Sequence, residues 1–342
     1  MTSNNLPLCE SYDVGLFDLD GVVYAGSARV PHAAASIEAA TQRGMRAAYV
    51  TNNASRTPQD VADKLNEVGV TAHVDDIITS AQVAADVLAE RLPAGAAVLV
   101  VGDRGLREAV TSAGLLLVAT AEDKPAAVVQ GFSTQTGWEQ LAEATIAVRA
   151  GALWVASNLD STLPTDRGVL PGNGAFVAML ADVLQTEPDV VAGKPARTMH
   201  RASVARTGAQ RPLVIGDRLD TDIAGAAASD CASLYVMTGI SRPAEVVAAP
   251  TLHRPTYVAS DLRGLLQPGR SISAAQASGR SGRWIADQAG IRCDGPAGAD
   301  DAADLLALIC ALAWSDRAHT PLDDNSQVAY AALGLGRTAT GL

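Results

Sequence analysis

YDVGLFDLDGVVYAG, residues 12–26, is a short apolar run that ends on two acids. Val14, Leu16 and Phe17 favour a strand, and Asp18-Leu19-Asp20-Gly21 stops it abruptly, which places the acids at the strand's C-terminal end. Open α/β sheets bind their ligands there. Alternation along the strand sends Asp18 and Asp20 the same way, and Gly21 lets the backbone turn tightly beside them. Two acids on one side make a cation site. Taken alone, Asp20-Gly21 reads better as a simple turn with Asp18 a satisfied strand-end acid, so the rest of the chain has to decide.

The chain has 342 residues, 48% of them apolar and only 4% aromatic, enough for two or three buried cores. Alanine, valine and leucine dominate, which suits helices packed on a parallel sheet. The fold class expected is α/β: a Rossmann-like parallel-sheet core with an inserted α/β domain and a small C-terminal appendage. A formal net charge of −11 argues against nucleic acid or an anionic membrane as the main partner. It leaves an anionic small molecule open, because a local cation and one lysine can capture a phosphate within a screening length of about 8 Å. There is no apolar run of membrane-spanning length and no signal-peptide pattern, so the expected place is the cytoplasm. Cys9, Cys231, Cys293 and Cys310 are widely spaced with no CxxC, and the five histidines show no ligand spacing.

Along the chain, strand and helix signals alternate. Pro31 and Gly44 bracket a helix, Met45–Val50 reads as a strand ending on Thr51-Asn52-Asn53, and Thr57-Pro58 caps a helix reaching about Val68. Strand signal at 77–78 precedes a helix over 81–92, and Pro93-Ala94-Gly95 then breaks the chain. A fresh set of alternations follows, with strands near 98–101, 115–118, 128–131 and 153–156 and helices near 106–113 and 138–149. A glycine loop opening a helix over 170–185 closes it. Val190-Val191-Ala192 leading to Gly193-Lys194-Pro195, then the strand 212–216 ending on GDRLDTDIAGA, resume the first sheet. The expected domains are therefore 1–83 and 189–266 for the core and 84–188 for the insertion. Residues 267–342 form a polar linker followed by a small domain with a helix over 299–317. Gly334-Leu335-Gly336 is a lone GxG.

Four polar clusters thus close four apolar runs: Asp18/Asp20, Thr51/Asn52/Asn53, Lys194 and Asp217/Asp222. Each has a bland reading by itself, as a cap, a turn or a solvated lysine. Together and in this order, FDLDGV, VTNN, GKP and GDRLDTD resemble the four motifs of the haloacid dehalogenase superfamily of phosphohydrolases. The insertion resembles the large C2-type cap of the subfamily holding the NagD-like and 4-nitrophenyl phosphate phosphatases. Within it, the chain looks most like actinobacterial members that act on glycerol 3-phosphate.

The resemblance implies a chemistry. Phosphate monoester hydrolysis needs accelerations of up to ~10²¹. Asp18 is implied as the nucleophile that forms an aspartyl-phosphate, and Asp20 as the general acid and then base. Mg²⁺ is implied as cofactor, held by the Asp18 carboxylate, the Asp20 carbonyl and Asp217, with Asp222 holding metal water behind them. Lys194, Thr51, Asn52 and Asn53 are implied to bind the phosphoryl oxygens. Selectivity would come from the insertion, with Trp138, Asn158 and Asp160 as candidates. The expected substrate is glycerol 3-phosphate, then 2-phosphoglycolate, with pyridoxal phosphate, a nucleotide or a phosphotransferase reaction as alternatives. A different class of reading makes the C-terminal domain an interaction or regulatory module. A homodimer is what the family resemblance implies.

Overall fold

The computed structural model describes residues 6–165, 167–287, 290–295, 301–315 and 331. It separates into two compact units, Met1–Ala47 with Gly208–Leu342, and Ala48–Thr207.

In the first unit, the strand Val14–Phe17 pairs in parallel with Pro212–Gly216, Val14 opposite Pro212 and Phe17 opposite Ile215. Pro212–Gly216 pairs with Ala232–Val236, and that strand with Tyr257–Ala259, again in parallel. All four residues of Val14–Phe17 are buried, as a strand covered on both faces requires. Its register is fixed at its start, where the Asp13 carboxylate accepts from the Gln210 and Arg211 amides at 2.7 and 2.9 Å. The helix Ala33–Gln42 crosses over after it, and the chain turns at Gly44, whose φ of 102° suits glycine. After Pro212–Gly216 the chain enters a π-helical turn, Leu219–Ile223, running into the short helix Ala224–Ala228. Such wide turns often mark functional sites.

The polar stretch after residue 267 is structured, contrary to its reading as a linker. Ser271 caps the helix Ile272–Ser278 by accepting from the Ala274 amide, and Ile272 and Ala275 are buried. Three antiparallel strands follow, Arg280–Ser281, Trp284–Asp287 and Gly290–Cys293. The helix Asp301–Ala313 then buries Leu305, Leu306, Leu308 and Ile309 in one cluster with Leu219, Ile223, Tyr235 and Val258. The C-terminal elements therefore share a core with the sheet. Arg270 donates to Asp304 at 2.8 Å, the Trp314 indole donates to the Val247 carbonyl at 3.0 Å, and Arg254 lies 4.8 Å from the Trp314 ring centre. The Gly334-Leu335-Gly336 motif and the expected helix ends at 299 and 317 lie outside the described residues.

In the second unit, Tyr49–Thr51 of the strand Arg46–Thr51 pair in parallel with Ile77–Thr79. The helix Pro58–Glu67 begins at the expected cap, where Thr57 and Asp60 form a reciprocal capping box, and Thr79 with Gln82 does the same for Ser80–Arg91. A five-stranded parallel sheet follows in the order Val190–Val191, Leu153–Ala156, Ala127–Gln130, Ala97–Val101, Leu116–Val118. Its core packs Leu99, Val128, Trp154, Val177 and Leu180. Two features depart from the sequence reading. Thr162–Thr165 and Gly168–Pro171 pair as an antiparallel hairpin, and the second of these strands is exposed throughout. The Val190–Val191 strand, expected to resume the first sheet, pairs with Leu153–Ala156. The Ala192 amide extends that pairing to the Ala156 carbonyl at 2.9 Å.

Candidate active site

In the first unit, Asp18 is the first residue past its strand, and its amide still donates to the Ile215 carbonyl at 2.8 Å. Leu19 is buried, Asp18 half-buried and Asp20 exposed. Gly21 adopts φ 85°, and a Cβ there would stand 2.6 Å from Asp217 Oδ2, so only glycine lets this turn approach the Asp217 carboxylate. Asp217 follows its strand in the same way and is fully buried. Its Oδ2 accepts from the Ile240 amide at 2.6 Å and its carbonyl from the Ser241 amide at 3.2 Å. Asp222, on the π turn, accepts from the Arg218 amide at 3.2 Å. Gly216 makes room for it, since a Cβ there would lie 2.2 Å from Asp222 Cβ.

These positions converge. One carboxylate oxygen from each of Asp18, Asp217 and Asp222 lies within 4.8 Å of the others. Three carboxylates this close repel one another unless a cation sits among them, and an all-oxygen set suits a hard divalent cation. Asp222, expected behind the ligands, thus reaches the cluster itself, while the Asp20 carboxylate is not part of it. The neighbouring Asp220 is drawn aside by a two-pronged bond from Arg218 at 3.0 and 2.7 Å. Burial pushes the Asp220 carboxyl up, but the guanidinium outweighs it and holds it below the usual carboxylate range.

A second polar group lies in the second unit. Lys194 is buried, and its ammonium donates to the Val50 carbonyl at 3.1 Å. Asn52 clamps the backbone of Lys194, accepting from its amide at 2.7 Å and donating to its carbonyl at 3.0 Å. The same Asn52 amide group donates to Asp160 at 3.1 Å, while the Asn52 carbonyl accepts from Asn158 at 2.7 Å and from the Ser80 hydroxyl at 2.6 Å. Asn173 in turn donates to the Asn158 carbonyl at 2.7 Å. Asn52, Asn158 and Asp160 are therefore knit into the frame that holds Lys194. Asn53 uses its side-chain carbonyl on the Ser55 and Arg56 amides, at 2.9 and 3.1 Å, and Thr51 accepts from the Asn53 amide at 3.1 Å. Trp138 stands apart, 82% exposed at the start of its helix.

Sequence reasoning missed Asn173, Ser80 and the turn Met237-Thr238-Gly239-Ile240-Ser241. A glycine three residues after the end of the strand Ala232–Val236 was the available signal for the last.

The descriptions haloacid dehalogenase-like hydrolase and HAD-hydrolase-like match residues 15–116 and 191–265. The D-glycerol 3-phosphate phosphatase of Mycobacterium tuberculosis is 47% identical over 283 residues, 83% of this chain and 78% of that protein. The chain belongs to the haloacid dehalogenase-like hydrolases. An acid sugar phosphatase of Staphylococcus saprophyticus, 34% identical over 75% of this chain and 98% of its own length, is a further relative. Among solved structures, glycerol phosphate phosphatase from M. tuberculosis in complex with magnesium superposes with a TM-score of 0.87 at 40% identity. That match covers 96% of this chain and 99% of the other. The p-nitrophenyl phosphatase of Archaeoglobus fulgidus gives a TM-score of 0.70 at 26% identity, over 75% and 98%. As a haloacid dehalogenase-like hydrolase, the chain presents its acid cluster at the carboxyl ends of parallel strands, where such sheets bind ligands.

Proposed function

We propose that this chain is a Mg²⁺-dependent phosphatase of small phosphate monoesters, working through an aspartyl-phosphate, with glycerol 3-phosphate as its substrate. The observation that carries the reading is the convergence of Asp18, Asp217 and Asp222 within 4.8 Å at the ends of two paired parallel strands and the turn that follows. Asp18 supplies the nucleophilic oxygen. Its attack forms a P–O bond while the bond from phosphorus to the leaving alkoxide breaks, and Asp20 hands that alkoxide a proton. The exposure of Asp20 leaves it able to exchange protons with water. Asp20 then takes a proton from the water that hydrolyses the acyl phosphate, releasing phosphate and regenerating Asp18. Asp18, Asp217 and Asp222 would hold Mg²⁺, which supplies charge neutralisation for an anionic ester meeting a carboxylate. Lys194 and Thr51 serve the phosphoryl oxygens, with Asn52 and Asn53 as the frame that sets them.

The choice of glycerol 3-phosphate rests on the relative that is 47% identical. Domains at 1–83, 84–188, 189–266 and 267–342, amended by the Val190–Val191 strand that docks on the insertion's sheet and by the core that the C-terminal elements share with Leu219 and Tyr235, complete the reading, with selectivity from the insertion around Trp138. So do a cytoplasmic setting, which four free cysteines support, and a homodimer. No described helix is long and apolar enough to cross a membrane.

Phosphate release from glycerol 3-phosphate, 2-phosphoglycolate, pyridoxal phosphate, a sugar phosphate, a nucleoside monophosphate and 4-nitrophenyl phosphate tests this, with and without Mg²⁺. Turnover should need Mg²⁺, favour glycerol 3-phosphate by kcat/KM and vanish in Asp18→Asn. Turnover that survives Asp18→Asn refutes the covalent route. A different preferred ester corrects the substrate alone, and phosphate delivered to an added alcohol rather than water marks a phosphotransferase.

A further inference from the structure

The acid cluster is assembled from two chain segments about 200 residues apart in sequence, Asp18–Gly21 and Gly216–Asp222, and something must hold them at one spacing. The turn after the strand Ala232–Val236 is built for that. The Thr238 hydroxyl donates to the Gly21 carbonyl at 2.6 Å, directly behind the Asp20–Gly21 turn. Two residues on, the Ile240 amide donates to Asp217 Oδ2 at 2.6 Å. Ser241 follows, giving its amide to the Asp217 carbonyl at 3.2 Å and accepting from the Leu219 amide at 3.1 Å. Between them, Gly239 has no room for a side chain, since a Cβ would lie 1.9 Å from Asp217 Oδ2. The Tyr235 hydroxyl anchors the end of the turn on the Ser241 carbonyl.

We infer that Thr238 is a positioning residue for the cation site: its hydroxyl fastens the Asp20–Gly21 turn to the same five-residue turn that sets the rotation of the Asp217 carboxylate. Thr238 has no part in bond making. It acts through Gly21 on one side and, through Gly239 and Ile240, on Asp217 on the other. Groups that orient ligands from behind typically govern about 10–100-fold of metal affinity. The inference rests on the reading of Asp18, Asp217 and Asp222 as a Mg²⁺ site.

The test is calorimetric titration of MgCl₂ into metal-stripped full-length protein, for the parent, Thr238→Val, which keeps the shape and loses the donor, and Thr238→Ser, which keeps the donor. Thr238→Val should bind Mg²⁺ about 10-fold more weakly, and Thr238→Ser should bind within about 2-fold of the parent. Thermal unfolding in EDTA should be the same for all three within about 2 °C, a small stability difference for a chain of this size. KM for glycerol 3-phosphate at saturating Mg²⁺ should stay unchanged in Thr238→Val while the Mg²⁺ concentration for half-maximal rate rises. Parent-like Mg²⁺ affinity in Thr238→Val overturns the inference. So does a loss that Thr238→Ser does not rescue, or one matched by an equal fall in metal-free stability, since that makes Thr238 merely structural. A parent that binds no Mg²⁺ overturns the metal site itself, a failure distinct from the others.

Discussion

At the residue scale, the acid cluster stores an unfavourable interaction in the metal-free protein. Asp217 and Asp222 are both buried and lie beside half-buried Asp18, so their mutual repulsion opposes folding until a cation neutralises it. Asp222→Asn removes one of the charges and should shift two readings in opposite directions. Its unfolding temperature in EDTA should exceed the parent's, while the rise on adding Mg²⁺ should shrink; a fall in both would contradict the repulsion. Gly239→Ala should damage Mg²⁺ binding more than metal-free stability, because the new methyl group meets the Asp217 carboxylate rather than the apolar core. A Mg²⁺ titration beside a melt in EDTA separates the two effects. The acids were legible in the sequence because each follows an apolar strand, a place where side chains point at ligands. The Thr238 turn was not, because its partner Gly21 is 217 residues away and a threonine hydroxyl carries no spacing signal. Asn52 was legible as a polar strand-end residue, but its bonds to Lys194 and Asp160, 142 and 108 residues away, were not.

At the scale of elements, local punctuation decided what the sequence could tell. Thr57-Pro58 announced a capped helix, and the structure adds Asp60 as the reciprocal partner of Thr57. Thr57→Ala should therefore cost about 1 kcal/mol, measured by chemical denaturation. The hairpin of Thr162–Thr165 and Gly168–Pro171 gave no such announcement: Gly168–Pro171 is exposed throughout, so no buried face there imposes a two-residue period, and the sequence carries a proline in each strand. The helix Ile272–Ser278 was hidden for a related reason, since what orders it is burial of Ile272 and Ala275 in a core formed with residues distant in sequence. The last helix makes that core testable. Leu306 is fully buried there, and Leu306→Ala should cost about 2–5 kcal/mol. Cys310 reports on the same contact. Burial pushes its thiol far up, against a smaller opposing effect of Arg254, so the folded parent should resist alkylation at neutral pH. The Leu306→Ala variant should label faster at Cys310, and equal labelling would mean that the helix does not depend on that packing.

At the scale of the whole molecule, ligation and folding are coupled. Mg²⁺ at about 100 times its dissociation constant contributes about 2.7 kcal/mol, so the melting temperature should rise by about 4 °C over that in EDTA. Absence of any shift would speak against a cation in the carboxylate cluster. Removal of everything after Leu266 strips Leu305, Leu306, Leu308 and Ile309 from the cluster that covers Leu219, Ile223 and Tyr235. The shortened chain should aggregate rather than remain a working catalyst, a result visible by size-exclusion chromatography. The sequence announced two alternating α/β regions through its proline-glycine break at residues 93–95, but not which sheet the strand before Lys194 would join, because two valines fit either edge. That pairing governs how this enzyme can be recombined with its relatives. Val190–Val191 lie on the edge of the five-stranded sheet, and Gly193 can tolerate no side chain beside Asn52 and Ser157. A chimera that imports residues 84–188 from a homologue leaves the native edge strand to dock on a foreign neighbour, while one that imports 84–192 brings the matched pair. Lineages trading insertions would thus be held to crossover points beyond the edge strand, so that the strand leading into the lysine is inherited with the sheet it completes.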